Sequence, residues 1–316
     1  MRNLTLRQLR TLQAIAARGK IVSAAKELGL TAPAVTIQLR QAEEELGVAL
    51  FDRTMEGMRP TAAGIAAIDA AQAIQERLRQ LSDEIDAIKG LRAGTLRLGV
   101  VSTAKYFVPR LMAAFMKEHP NIEVLLRVGN RAETIEHLRT HDIDIALMGR
   151  PPRDVPVSAA PFGDHPLVIV APPDHPLANA RDIPKEQIAR ENFLIREPGS
   201  GTRISLEIFF SDIPGRVDDL GLEMDSNETI KQAVMAGLGI AFISAHTIEA
   251  EVEAGRLVIL DVVGLPIRRQ WFVVMRADRA MAPAMTAFHA FLMSKGAMHL
   301  PLVGKLYPAT SISAPV

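Results

Sequence analysis

The sequence contains no cysteine, which excludes a disulfide framework, a cysteine-based metal site and a cysteine nucleophile. A cysteine-free chain fits a reducing compartment. The N-terminus carries no apolar signal core, and no run of about 18 apolar residues occurs along the chain. We therefore expect a cytoplasmic protein with no membrane partner.

Net charge is also absent, because 36 Lys and Arg residues balance 36 Asp and Glu residues. This balance argues against a non-specific binder of polyanions. The charge is unevenly distributed, however: residues 1–61 hold nine basic and six acidic residues, a net +3, which leaves −3 on the remainder. At 316 residues, 48% of them hydrophobic, the chain suits two or three domains. The pattern favours a modestly basic, nucleic-acid-binding head on a larger body.

The basic segment contains two short helices in close succession. Residues 31–47 predict a helix from an N-cap at Thr31 to a stop at Gly47, since apolar residues recur there at i, i+4, i+7 and i+11. Just upstream, residues 23–29 predict a shorter helix capped by Ser23. Two short helices joined by a tight glycine-containing turn are typical of a helix-turn-helix, with an ordinary helical hairpin as the alternative.

In a helix-turn-helix the second helix brings its first turns to the edges of the bases. Small residues in those turns permit close approach, and Arg40 could reach a phosphate or a guanine. Residues 52–60 read as a hairpin-like wing in which Arg53 and Arg59 would face phosphates, with solvated surface charge as the alternative. The candidate DNA-binding residues are Ser23, Thr31, Ala32, Pro33, Ala34, Thr36, Ile37, Gln38, Arg40, Arg53, Arg59 and Thr61.

Residues 62–90 predict one long helix with an apolar stripe. The stripe has a spacing near 3.5 residues and is formed by Ile65, Ile68, Ile74, Leu78, Leu81, Ile85 and Ile88. A stripe of this period needs a partner helix. We therefore expect the helix to pair two heads as a homodimer, with burial against the chain's own body as the alternative.

From Thr95 onward, short strands alternate with helices, which predicts βαβ units around a largely parallel sheet and an α/β fold class. Proline-rich residues 151–161 and residues 262–266 predict two hinge segments between two lobes. One lobe would comprise residues 91–160 completed by 265–294, and the other residues 161–264. Residues 295–316 would form a loosely ordered tail.

Ligands of α/β proteins bind beyond the carboxyl ends of the strands. Hydroxyl, glycine and basic residues follow several predicted strands here and precede helices, so backbone N–H groups and cations could hold an anion. The candidate ligand-binding residues are Ser102, Thr103, Ala104, Lys105, Asn130, Arg131, Gly149, Arg150, Gly199, Ser200, Gly201, Thr202, Arg203, Asn227 and Glu228. An ordinary turn and cap at Gly199, and surface charge at Arg131 and Arg150, are the alternatives.

Other chemistries find little support. His137 and His141 have metal-ligand spacing but lack the glutamate of an H-E-x-x-H motif, so we expect no metal site. Two Asp-His-Pro tripeptides, at 164–166 and 174–176, read as turns rather than catalytic pairs. Residues 199–201 do not form a hydrolase elbow. We expect no catalytic site and no cofactor.

The chain resembles the LysR-type transcriptional regulators. The resemblance runs through both short helices and the wing, over residues 23–28, 31–53 and 59–64. It departs where the family often has Gln at the place of Ala32, and Arg or another polar residue at that of Ile37. Ile37 would touch a thymine methyl or simply pack. The family resemblance implies a winged helix-turn-helix that binds double-stranded DNA, a dimerising linker helix and a two-lobed effector domain like periplasmic binding proteins. It also implies a homotetramer assembled as a dimer of dimers, with RNA polymerase a further possible partner.

The body resembles the Calvin-cycle operon regulators of this family, the CbbR branch. The matching segments include residues 101–110, 146–152, 171–177, 196–203 and 226–239. The branch implies regulation of CO2-fixation genes, including those for ribulose bisphosphate carboxylase (RuBisCO), by effectors such as ribulose bisphosphate or NADPH. The alternatives are regulation of another metabolic operon, a solute-binding module, or an enzyme acting on a phosphorylated metabolite.

Overall fold

The computed structural model describes residues 3–88, 94–215 and 220–301. The chain divides into two compact units, Met1–Ile85 and Asp86–Val316. The predicted end of the long helix, at residues 89–90, lies outside the described residues, as does most of the predicted tail. Within the described ranges, no helix combines the length and apolar character that crossing a membrane requires.

The first unit is a three-helix head with a hairpin and the start of a long helix. Its elements are α1 (Leu6–Arg18), α2 (Ile21–Leu28), α3 (Ala32–Leu46), β1 (Phe51–Thr54), β2 (Gly57–Pro60) and α4 (Ala62–Ile88). The predicted α3 is confirmed, with Thr31 as N-cap and Gly47 as a left-handed C-cap. The predicted start of α2 is wrong, because Lys20 is its N-cap and Ser23 lies within its first turn.

Apolar faces of α1, α2 and α3 enclose the core of this head. The buried side chains include Leu12, Ile15, Val35 and Leu50, and Ala71 of α4 joins them. The wing formed by β1 and β2 is fastened to the turn after α1, since Met58 N–H donates to Gly19 O at 2.7 Å. A Cβ at Gly57 would lie 2.2 Å from that oxygen, so only glycine permits this approach.

The second unit is built on a nine-stranded mixed sheet. Its strands are β3 (Thr95–Val101), β4 (Glu123–Gly129), β5 (Ile145–Met148), β6 (Val157–Ala171), β7 (Phe193–Arg196), β8 (Leu222–Met224), β9 (Ile240–Ser244), β10 (Val258–Ile259) and β11 (Ile267–Arg276). The strand order is β4-β3-β5-β11-β6-β9-β7-β8, with β10 paired to β6. Pairs β3/β4, β3/β5, β7/β8 and β7/β9 are parallel, as βαβ units require.

Helices cover both faces of this sheet. They are α5 (Val108–Glu118), α6 (Arg131–Arg139), α7 (Lys185–Ile188), α8 (Gly201–Phe209), α9 (Asn227–Met235), α10 (Glu249–Glu253) and α11 (Pro283–Lys295). A 3-10 turn, Ala104–Tyr106, precedes α5. The predicted tail is also ordered at its start, because α11 continues to Lys295 and another 3-10 turn covers Gly296–His299.

Separate apolar cores define two lobes within this unit. The first lobe is built on β3, β4 and β5 and is completed by α11. The second is built on β7, β8 and β9. Strands β6 and β11 cross between the lobes: Phe162 of β6 packs in the first core, and Leu167 and Ile169 in the second.

The crossover strands correct two sequence-based predictions. Residues 157–161 of the predicted hinge, and the Asp-His-Pro tripeptide at 164–166, belong to the 15-residue β6. The second predicted hinge, at residues 262–266, contains a turn at residues 263–264. Two prolines, Pro161 and Pro166, lie within β6. Each lacks one backbone donor, but the pairing of β6 with β11 continues before and after each of them.

Candidate functional site

The exposed face of α3 carries the predicted DNA-reading side chains. Pro33, Ile37 and Arg40 are exposed, while Ala32, Ala34 and Thr36 are half-buried. The Thr31 hydroxyl is occupied as the helix cap and accepts from Ala34 N–H at 3.4 Å. Thr36 donates its hydroxyl hydrogen to Ala32 O at 2.9 Å.

Hydrogen bonds to α1 fix two glutamine side chains of α3. Gln38 Oε1 accepts from Thr11 Oγ1 at 2.5 Å, and Gln41 Oε1 accepts from Gln8 Nε2 at 3.4 Å. The predicted DNA-binding residue Gln38 therefore also positions α3 on α1. Since the hydroxyl oxygen of Thr11 is buried, this bond also satisfies a polar group in the head's interior.

The wing presents Arg53 and Arg59, which are both exposed. In the β1/β2 pairing Asp52 lies opposite Arg59, and Arg53 lies opposite Met58. Side chains alternate along a strand, so Arg53 and Arg59 leave opposite faces of the hairpin. The structure therefore does not bring the two predicted phosphate contacts to one face. Thr61 is engaged as a cap: its hydroxyl donates to Ala49 O and accepts from Gly64 N–H.

In the second unit, a cavity of about 250 Å³ lies between the two lobes. Nine of the predicted ligand-binding residues line it: Ser102, Thr103, Asn130, Arg131, Gly149, Arg150, Ser200, Gly201 and Thr202. The N-termini of α6 and α8 both meet this cavity, through Arg131 and Gly201. The positive ends of two helix dipoles therefore favour a negatively charged ligand.

Side-chain charge strengthens that preference. Among the described residues, the cavity is lined by five arginines, Arg131, Arg150, Arg153, Arg196 and Arg269, and by one carboxylate, Asp154. Asp154 is paired outward with Arg139 at 2.6 Å. Burial, and then the nearby charge of Arg150, lower the pKa of both Arg131 and Arg269. An anion in the cavity would relieve this mutual repulsion.

A buried histidine forms part of the cavity wall. Trp271 stacks on His165 with ring centroids 4.0 Å apart, and neither ring nitrogen of His165 has a hydrogen-bond partner in the described part of the chain. Burial, and then His246 and Arg269, hold the pKa of His165 well below its ordinary value, so the ring is neutral. A Cβ at Gly149 would lie 2.5 Å from His165 Nδ1, which explains the glycine there.

Six predicted residues do not line the cavity. Ala104 is buried in the first-lobe core, and Lys105 Nζ lies 5.2 Å from the Tyr106 ring centroid. Gly199 O accepts from Ala132 N–H at 3.3 Å. Arg203 instead pairs with Glu207 and Glu223 on the outside of the second lobe.

The remaining two, Asn227 and Glu228, lie beside the cavity and join the lobes. Arg196 Nη1 donates to Asn227 Oδ1 at 2.6 Å, while Glu228 accepts a hydrogen bond from Tyr106 of the first lobe. Lys231 Nζ lies 3.1 Å from the Glu228 carboxylate and 2.8 Å from that of Glu251. These residues support the cavity wall rather than form it.

Sequence reasoning missed four basic residues of the cavity, one of which is Arg153 in the segment between β5 and β6. Arg196 ends β7 and is only 3% exposed, but the positive charge was assigned to Arg203, seven residues later. His165 and Arg269 lie opposite each other in the pairing of β6 with β11. The strand-end rule could have found Arg196, whereas His165 and Arg269 needed the pairing register. No cluster of potential metal ligands occurs among the residues described.

Comparisons with known proteins agree with this architecture. Residues 6–65 match the model of the bacterial regulatory helix-turn-helix proteins of the lysR family, and residues 89–297 match the LysR substrate binding domain. The chain is 63% identical to the HTH-type transcriptional regulator CbbR of Sinorhizobium medicae (strain WSM419) over 311 residues, covering 98% of this chain and 99% of the relative. It is 45% identical to the RuBisCO operon transcriptional regulator of Allochromatium vinosum, covering 94% of this chain and 98% of that relative.

A solved structure of similar fold is the regulatory domain of Synechocystis PCC6803 CcmR in complex with 2-PG. It superposes with a TM-score of 0.59 at 37% sequence identity, covering 63% of this chain and 96% of that one. One matched domain model lies in each unit of the structure, and the two contain the α3 surface and the cavity. The chain therefore belongs to the LysR family of DNA-binding transcriptional regulators, which are not enzymes.

Proposed function

We propose that the protein regulates transcription of CO2-fixation operon genes, including those for RuBisCO, from double-stranded DNA in the cytoplasm. The observation that carries this proposal is the 63% identity to a CbbR regulator over nearly the whole of both chains. A second RuBisCO operon regulator, at 45% identity, supports it over a similar length. The α3 surface would read the operator, and a wing arginine would hold a phosphate.

The inter-lobe cavity is proposed to bind a small anionic effector that modulates DNA binding. Its arginines and two helix N-termini support an anion, and the related CcmR domain holds 2-PG. The volume of about 250 Å³ lies below the roughly 300–1,000 Å³ of pockets for drug-sized ligands. Of the expected effectors, a small phosphorylated metabolite such as ribulose bisphosphate therefore fits better than the larger NADPH.

The proposed assembly is a homodimer formed through α4, with two dimers in a homotetramer. Support comes from α4 itself, where Ile74, Leu78, Leu81 and Ile85 are exposed along one stripe. Exposed apolar residues at this spacing are stabilised by a second helix of the same kind. Paired heads would meet the two halves of a dyad-symmetric operator, from which the protein could contact RNA polymerase.

A fluorescence-anisotropy titration tests the proposed function. The labelled duplex is the DNA upstream of a CO2-fixation operon, titrated at two salt concentrations with and without 2-PG, ribulose bisphosphate or NADPH. We expect specific binding that a small phosphorylated metabolite modulates. Specific binding without modulation would contradict the effector proposal, and only weak, strongly salt-dependent binding would contradict the choice of operon.

A further inference from the structure

One large apolar side chain projects from the exposed face of α3 that carries the predicted DNA-binding residues. Ile37 is 56% exposed, whereas Val35, Leu39 and Ala42 of the same helix are buried in the core of the head. Within α3, which is described over its whole length, no other large apolar side chain is exposed to this degree. Packing within the head therefore does not account for the isoleucine.

The hydroxyl groups and amide oxygens around Ile37 are already engaged inside the head. Hydroxyl groups bond to α3 backbone at Thr31 and Thr36, and amide oxygens accept hydrogen bonds from α1 at Gln38 and Gln41. Oxygens held in this way are poorly placed to accept hydrogen bonds from the edges of bases. Ile37 itself has no donor or acceptor in its side chain.

The major groove offers one apolar group that such a surface can recognise, the 5-methyl group of thymine. Two exposed side chains flank Ile37 along α3. Pro33 adds an apolar contact surface, and Arg40 adds a cation suited to phosphate or guanine. We propose that Ile37 recognises thymine in the operator through van der Waals contact with its 5-methyl group, and so determines specificity at that base pair.

This proposal predicts a coupling between one protein side chain and one DNA methyl group. Replacing thymine by uracil removes the methyl group and leaves base pairing and phosphate charge intact. Burial of one methyl-sized group changes affinity by about fourfold. We expect about a fourfold loss at the thymine that Ile37 contacts in each half-site, and no loss at that position for Ile37→Ala.

The duplex for the experiment is the tightest sequence selected from a random pool by the full-length protein, so the test does not depend on which operon is regulated. Each thymine is replaced by uracil in turn, and affinities are measured by anisotropy for the wild type, Ile37→Ala and Val22→Ala. Val22 is a matched control because it is an exposed β-branched residue on the preceding helix α2. We expect Val22→Ala to keep the uracil effect at the Ile37 position.

The proposal is overturned if no uracil substitution affects wild-type binding more than Ile37→Ala binding. It is also overturned if Ile37→Ala weakens selected and unrelated DNA equally, because a specificity contact must discriminate between sequences. Truncation of an exposed side chain leaves the core of the head intact, and circular dichroism checks that the variant is folded. If the protein does not bind the operon DNA but shows the expected uracil effect, the proposed operon is wrong while the role of Ile37 stands.

Discussion

Arg196 Nη2 of the second lobe donates a hydrogen bond to Ser102 Oγ of the first at 3.2 Å. The same guanidinium group pairs with Glu197 at 2.7 Å and bonds Asn227, so one buried cation has partners in both lobes. Because Arg196 and Ser102 both line the cavity, a ligand that binds either group alters a contact between the lobes. The ligand can change the free energy of DNA binding by no more than the difference in its affinity for the two arrangements of the lobes.

Replacing Arg196 with alanine should weaken both ligand binding and folding. The change removes a cation from the cavity. It also leaves the Glu197 carboxylate without its buried partner, which lowers the free energy of unfolding by about 3 kcal/mol. We expect the affinity for 2-PG to fall at least tenfold by calorimetry. Urea unfolding followed by the fluorescence of Trp271, the single tryptophan, measures the stability. Unchanged 2-PG affinity in a folded Arg196→Ala protein would remove Arg196 from the site.

Alanine substitutions at the adjacent residues Thr202 and Arg203 should have very different effects on the affinity for 2-PG. Thr202 is buried on the cavity wall, whereas Arg203 pairs with Glu207 and Glu223 away from it. Loss of a hydrogen bond to a charged ligand should make Thr202→Ala bind 2-PG about tenfold more weakly. Arg203→Ala should retain wild-type affinity and lose less than about 1 kcal/mol in stability, since its ion pairs face solvent. If calorimetry shows weaker 2-PG binding for Arg203→Ala than for Thr202→Ala, the anion contacts Arg203 instead.

Acid should destabilise the second unit through buried neutral histidines. Burial lowers the pKa of His246 from 6.5 to about 4, and Nδ1 of the ring accepts from Trp271 Nε1 at 3.0 Å. Between pH 6.5 and 4 the unfolded chain binds a proton that the folded ring excludes. The stabilisation is therefore complete above pH 6.5 and decreases by about 3 kcal/mol as the pH falls towards 4. His165 contributes in the same direction.

Urea unfolding monitored at pH 7 and at pH 5 measures this loss. His246→Gln keeps an acceptor for the indole N–H but does not titrate, so it should show a smaller difference between the two pH values. His137→Gln is the control, since His137 is partly exposed beside Asp142. An equal pH dependence for the wild type and His246→Gln would contradict the assignment.

A charge on the α4 stripe should disrupt the proposed dimer. Leu78 and Leu81 are both more than 40% exposed in the single chain, and aspartate at either position would be buried unpaired in a helix pair. We expect Leu81→Asp to sediment as a smaller species and to bind operator DNA more weakly. Ala73→Asp, exposed on another side of α4, should behave as the wild type. A dimer that survives Leu81→Asp would require a different interface.

The sequence by itself determined the head in detail. Caps, glycine stops and the apolar period act over a few residues, so α3 was predicted from Thr31 to Gly47 with its buried face correct. The same local signals predicted the wing at residues 52–60 and the start of the long helix at residue 62, each at or within a residue of the observed bounds. The start of α2 was misplaced because Ser23 has the chemistry of a cap but lies inside the helix.

Only the tertiary structure decided which side chains share the cavity. His165 and Arg269 are 104 positions apart and meet through the pairing of two crossover strands, which no local pattern encodes. Arg196 and Arg203 are near neighbours with similar chemistry, yet one is buried between the lobes and the other pairs with surface carboxylates. Helix and strand signals arise from adjacent residues, whereas a cavity wall depends on strand register and on how two lobes pack.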